Sequence, residues 1–138
     1  MSVPPPVDPE TWAYSNRMTD HGHYHGVLKD LSTQHRALRQ EIPDVYQAFN
    51  QLSNAALTDG ALPAKVKELM ALVIGVVHGC DGCIASHARG AAKAGASATE
   101  AAEAIGVAIL MHGGPATIYG ARAYSAFAEF AAENPAAP

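Results

Sequence analysis

The sequence predicts an all-α protein, a bundle of about six helices, on three observations. Apolar residues recur at helical spacing from Val27 to Phe130, and no alternating run calls for a strand. The breaks between these stretches fall at residues that start or stop helices: Pro43, Asp59-Gly60, Pro63, Gly79, Ser97 and Gly113-Gly114-Pro115. The 138 residues are 49% hydrophobic but only 7% aromatic, and the alanine-rich remainder suits helices packed closely through small side chains.

Residues 1–25, with four prolines in the first ten positions, read as an arm, residues 26–133 as the helical domain, and 134–138 as a frayed tail. Trp12 and Tyr14 are the arm's candidate anchors. In His21-Gly22-His23-Tyr24-His25 the alternating histidines share a side if the segment is extended, which suits a metal. With no carboxylate or cysteine at useful spacing, a polar turn before the first helix is the preferred reading. That helix is expected over Val27 to Gln40 through Val27, Leu28, Leu31 and Leu38. Pro43 and Asp44 open the second, through Val45, Tyr46, Phe49, Leu52 and Leu57.

The third, Ala64 to His78, is apolar on nearly every face after Glu68 and is expected to be buried all round. Glu68 would then be held out of water and in need of partners. A fourth helix runs from Cys80 to Gly95. Ser97-Ala98-Thr99-Glu100 is a capping box that opens the fifth, through Met111. Pro115 suits the first turn of the sixth, which carries Ile118, Tyr119, Tyr124, Phe127 and Phe130.

A net charge of −4 recommends no nucleic-acid partner. The run from Leu69 to Val77 is about half of a membrane span. Met1 to Pro6 lacks the basic start and apolar core of a signal peptide, so a cytoplasmic location is expected, where thiols stay reduced. A close cysteine pair there reads as catalytic or metal-binding before it reads as a structural staple.

The chemistry concentrates in Cys80-Asp81-Gly82-Cys83-Ile84-Ala85-Ser86-His87. On a helix starting at Cys80 both sulfurs share a face, with His87 one turn beyond Cys83. A helix N-terminus and an imidazole both favour thiolate over thiol. A thiolate that attacks a peroxide becomes a sulfenic acid, which a second thiol condenses to a disulfide. The spacing from Glu68 also lets that carboxylate fold back toward the cysteines.

With Glu68, Cys80, Cys83 and His87 in place, the chain resembles the carboxymuconolactone decarboxylase/AhpD-like superfamily, in its branch with the Glu-x₁₁-Cys-x₂-Cys-x₃-His pattern. The likeness covers about residues 42–130. It takes in Pro43 to Phe49, Lys67-Glu68-Leu69, and the Gly113-Gly114-Pro115-Ala116 turn with Tyr119-Gly120-Ala121-Arg122. The resemblance implies an all-helical fold that assembles through its apolar helices as a trimer or hexamer. It further implies thiol peroxidase chemistry on a peroxide substrate, with a dithiol or redox-protein reductant and no cofactor. Carried over, Cys83 is peroxidatic, Cys80 resolving, His87 the base and Glu68 the relay acid. The alkylhydroperoxidase branch has a histidine where this chain has Gly82; His78 is the auxiliary candidate.

Other readings stay open. Cys80, Cys83, His87 and His78 are a zinc-type set, although structural zinc normally ties together two separated pairs. The cysteines also suit a redox sensor without turnover. The decarboxylase branch proper does not use a CxxC pair. Tyr119 and Arg122 suit a pocket lining or a subunit interface, the interface being preferred; His35 is assigned to an exposed face and His112 to a helix end.

Overall fold

The computed structural model describes residues 22–134, in which six helices follow one another and no strand occurs. They are α1 (His23–Glu41), α2 (Pro43–Leu57), α3 (Ala64–His78), α4 (Asp81–Lys93), α5 (Ala98–His112) and α6 (Gly114–Ala131). The Trp12 and Tyr14 anchors and His21 lie outside the described residues.

The α1 helix begins at His23, before the Val27 expected, and so takes in His23 and His25. Two residues apart on a helix, these side chains no longer share a side, which removes the extended geometry of the histidine run. No local side chain caps this start. The cap comes from α6, where Glu129 accepts the backbone N–H of Tyr24 at 3.2 Å and of His25 at 3.0 Å. The His25 ring bridges Glu129 and, at 2.7 Å, Glu133.

At its other end α1 stops because Pro43 disfavours helical geometry at Ile42, which sits at φ −132°. Asp59 Oδ1 accepts the Ala64 N–H at 2.6 Å and fixes the entry to α3. Both halves of the Ser97/Glu100 capping box form. Glu100 also takes Lys65 Nζ at 2.8 Å, which ties α5 to α3.

The α4 helix is central, packed on α3 and α6 and crossed by α1. Its inner face is Ile84, Ala85, Ala88, Ala91 and Ala92, meeting Leu72 and Val76 of α3 and Ala123, Ala126 and Phe127 of α6. Alanine here permits the close approach, so the larger side chains fill the remaining space.

The expected all-round burial of α3 does not hold within one chain, and the apolar run of α5 is largely exposed as well. On α3, Met70 is 52% and Ile74 57% exposed; on α5, Leu110 is 80% and Met111 78% exposed. Within one chain, helices cover only one side of α3 and α5. In α2 no residue is buried, and Val45, Phe49 and Leu52 form an outward apolar face.

Candidate active site

The turn between α3 and α4 sets the site. Gly79 takes the left-handed conformation, φ 61°. Its N–H donates to the Val76 carbonyl, and the Cys80 N–H donates to the Gly75 carbonyl at 3.0 Å, closing α3 in a Schellman motif. Cys80 then serves at once as the N-cap of α4, its sulfur accepting the Cys83 N–H at 3.2 Å. A cysteine sulfur thus stands where the oxygen of serine or aspartate normally caps a helix.

Cys80 and Cys83 form a disulfide with Cα atoms 5.2 Å apart. Cys83 is exposed and Cys80 half-buried. Gly75 of α3 lets the helices meet here, since a Cβ on it would lie 3.2 Å from Cys83 Cβ.

One turn beyond Cys83, His87 Nδ1 meets Glu68 Oε2 at 2.7 Å. The pair is largely shielded: the Glu68 side chain is 15% exposed and that of His87 28%. Glu68, expected to be held out of water and in need of partners, finds one in the histidine that the sequence placed near the sulfurs. A carboxylate accepting from Nδ1–H leaves Nε2 of a neutral His87 as the basic nitrogen. Gly90 makes room, because a Cβ there would come within 2.6 Å of Glu68 Oε1.

At Gly82, the position held by histidine in the alkylhydroperoxidase branch, α1 fills the space instead. A Cβ on Gly82 would lie 2.7 Å from Leu31 Cδ1. His78 is exposed in the last turn of α3. No group of three or more histidine, cysteine or acidic residues is arranged to hold a metal among the described residues.

The sequence did not indicate a second cluster on the other flank of the cysteine turn. The Tyr119 ring packs on Gly79, with Cζ 3.0 Å from where a Cβ would be. Arg122 lies over that ring at 5.1 Å and reaches Asp81 Oδ1 through Nη1 at 3.9 Å. Tyr119 and Arg122, for which the sequence left open a pocket or an interface, border the cysteine turn within one chain. Burial lifts the Tyr24 hydroxyl above its ordinary 10.0; the Asp81 charge adds to this and Arg122 works against it.

Residues 43–126 match the carboxymuconolactone decarboxylase family, and the chain belongs to that family. An uncharacterized protein of Cupriavidus necator is 38% identical over 72% of this chain and 88% of its own length. An uncharacterized protein of the cox locus of Paracoccus denitrificans is 37% identical over 59% of this chain and 74% of its own. Among solved structures, lpg0406, a carboxymuconolactone decarboxylase family protein from Legionella pneumophila in its apo form, is 40% identical. It superposes with a TM-score of 0.75 over 78% of this chain and 96% of that one. A structure from Burkholderia xenovorans, 24% identical with a TM-score of 0.68 over 89% of this chain and 96% of that one, shares the fold.

Proposed function

We propose that this chain is an AhpD-like thiol-dependent hydroperoxidase in which Cys80 and Cys83 cycle between dithiol and disulfide. The observation that carries the reading is the Glu68–His87 hydrogen bond one turn from the exposed cysteine of a formed disulfide. The Cys83 thiolate attacks the peroxide O–O bond, giving a sulfenic acid and an alkoxide that takes a proton and leaves as alcohol. The Cys80 thiol condenses with the sulfenic acid, forming the S–S bond and releasing water. A dithiol or redox protein then returns two electrons and two protons by exchange.

In this scheme His87 Nε2 takes the Cys83 proton and returns it to the departing oxygen. Glu68 holds the tautomer and offsets the imidazolium charge. His78, exposed in the last turn of α3, is an auxiliary proton carrier. The bare apolar faces of α2, α3 and α5 support self-assembly, a trimer or hexamer in this reading. Light scattering should then give a mass above the monomer's.

The test is hydroperoxide consumption with a panel of dithiol reductants for wild type, Cys83→Ser and Cys80→Ser. Turnover in wild type, abolished by Cys83→Ser, is expected. A disulfide that forms without turnover under any reductant would assign the cysteines to redox sensing instead.

A further inference from the structure

We propose that Arg122 is a positioning residue for the cysteine pair: by holding Asp81 it offsets the carboxylate next to Cys80, making Cys80 the better leaving thiolate when the disulfide is reduced. This rests on the reading that the disulfide is cycled, and goes beyond it by assigning the sulfurs their roles in reduction and naming what tunes them.

Exchange needs one sulfur to be attacked and the other to leave. Cys83 is exposed and Cys80 half-buried, so an incoming thiolate meets Cys83. A bond forms between the reductant sulfur and Cys83, the Cys80–Cys83 bond breaks, and its electron pair stays on Cys80. The second thiol of the dithiol then attacks its own partner sulfur, releasing Cys83. The dithiol becomes a disulfide, and two electrons and two protons have passed to the protein.

The rate depends on how well Cys80 carries negative charge, since a leaving thiol of lower pKa leaves faster. Its N-cap position and the Cys83 N–H at 3.2 Å favour that charge. Asp81, the next residue and the first of α4, opposes it. Arg122 is aimed at Asp81, at 3.9 Å, and is itself held over Tyr119, whose ring rests on Gly79 of the same turn. Two contacts, one to Asp81 and one to the Tyr119 ring, thus keep the guanidinium beside the cysteine turn. Tyr24 of α1, across this cluster, responds to both charges in opposite senses. Being half-exposed, the ion pair adds little to stability, so it can be removed without unfolding the chain.

The experiment measures the rate of reduction of the Cys80–Cys83 disulfide by dithiothreitol across pH, with the pH of thiolate formation read by ultraviolet absorbance. The proteins are wild type, Arg122→Gln, Arg122→Lys, Asp81→Asn and the double variant Asp81→Asn/Arg122→Gln. Arg122→Gln is expected to slow reduction about two- to threefold and to raise the pH of thiolate formation. Arg122→Lys keeps the wild-type rate, Asp81→Asn is faster, and the double variant returns close to wild type. Asp81→Asn tests the same field while leaving Arg122 on Tyr119. A wild-type rate in both single charge-removing variants, or a double variant as slow as Arg122→Gln, would overturn the role of Arg122. A wild-type disulfide that dithiothreitol cannot open would overturn the redox reading itself.

Discussion

Replacing Gly90 by alanine separates the fold from the site. In an open helical position glycine to alanine stabilises by about 0.4–1 kcal/mol, because the unfolded chain loses freedom. Gly26 in α1, with nothing within 4 Å of its would-be Cβ, is such a position and serves as the control. At Gly90 the new methyl group would sit 2.5 Å from Glu68 Oε2, the atom that bonds His87. That oxygen ends a flexible side chain, so the backbone need not move; the carboxylate swings aside and its hydrogen bond to His87 is lost. A bond to a charged group contributes about 1.5–3 kcal/mol, and partial exposure of this pair brings it toward about 1 kcal/mol. Gain and loss nearly cancel. Gly90→Ala should therefore melt close to wild type, whereas Gly26→Ala should melt roughly 2–6 °C higher. If His87 is the base of the proposed peroxidase, turnover should fall in Gly90→Ala by about tenfold or more, as expected when a general base loses its orienting partner. Calorimetry and a coupled peroxide assay read the two effects. A Gly90→Ala protein stabilised like the control and fully active would refute both the close approach and the role of Glu68.

Two further predictions concern the fold. Phe127 of α6 is fully buried in the core cluster that also holds the alanines of α4, so Phe127→Ala should destabilise by about 3–5 kcal/mol in chemical denaturation. A loss below 1 kcal/mol, the scale of a surface change, would contradict its place in the core. Acid stability should follow Glu129 and Glu100. Burial pushes Glu129 up, but hydrogen bonds from the His25 ring and from the His25 and Tyr24 N–H groups outweigh it, leaving the carboxyl below its ordinary 4.5. Glu100 lies below the same value through Lys65 and then the Ser97 N–H. Their stabilisation is fully present above pH 4.5 and is lost as pH falls through the lower folded values. Melting temperature should be level in these terms above that pH and fall below it. Glu129→Gln should flatten the decline, and an unchanged acid limb would count against the cap on α1.

Local punctuation made much of this legible in advance. Pro63 and Gly79 bracket α3 at its observed ends, and Ser97 and Glu100 announce α5, because each of these signals acts within one turn of the residues it controls. The start of α1 was not legible: its cap, Glu129, lies more than one hundred residues away and reads locally as one more helical acid. The spacing of Glu68 to the cysteines did suggest a fold-back, and the carboxylate does reach His87. Periodicity cannot show which partner covers an apolar face, so Met70 and Ile74 read as core, and Leu110 and Met111 as core or interface, although all four are exposed in the single chain. Nor can it show that Leu31 fills the space beside Gly82, or that Arg122 turns toward Asp81. Both depend on the crossing of α1 and α6 over the cysteine turn.

The most direct measurement is the intact mass of fully reduced protein before and after one equivalent of hydroperoxide, with peptide mapping of the product. The account predicts loss of the two thiol hydrogens and a single linked peptide joining Cys80 to Cys83. Both thiols intact, or a stable oxygenated Cys83 with Cys80 untouched, would contradict it.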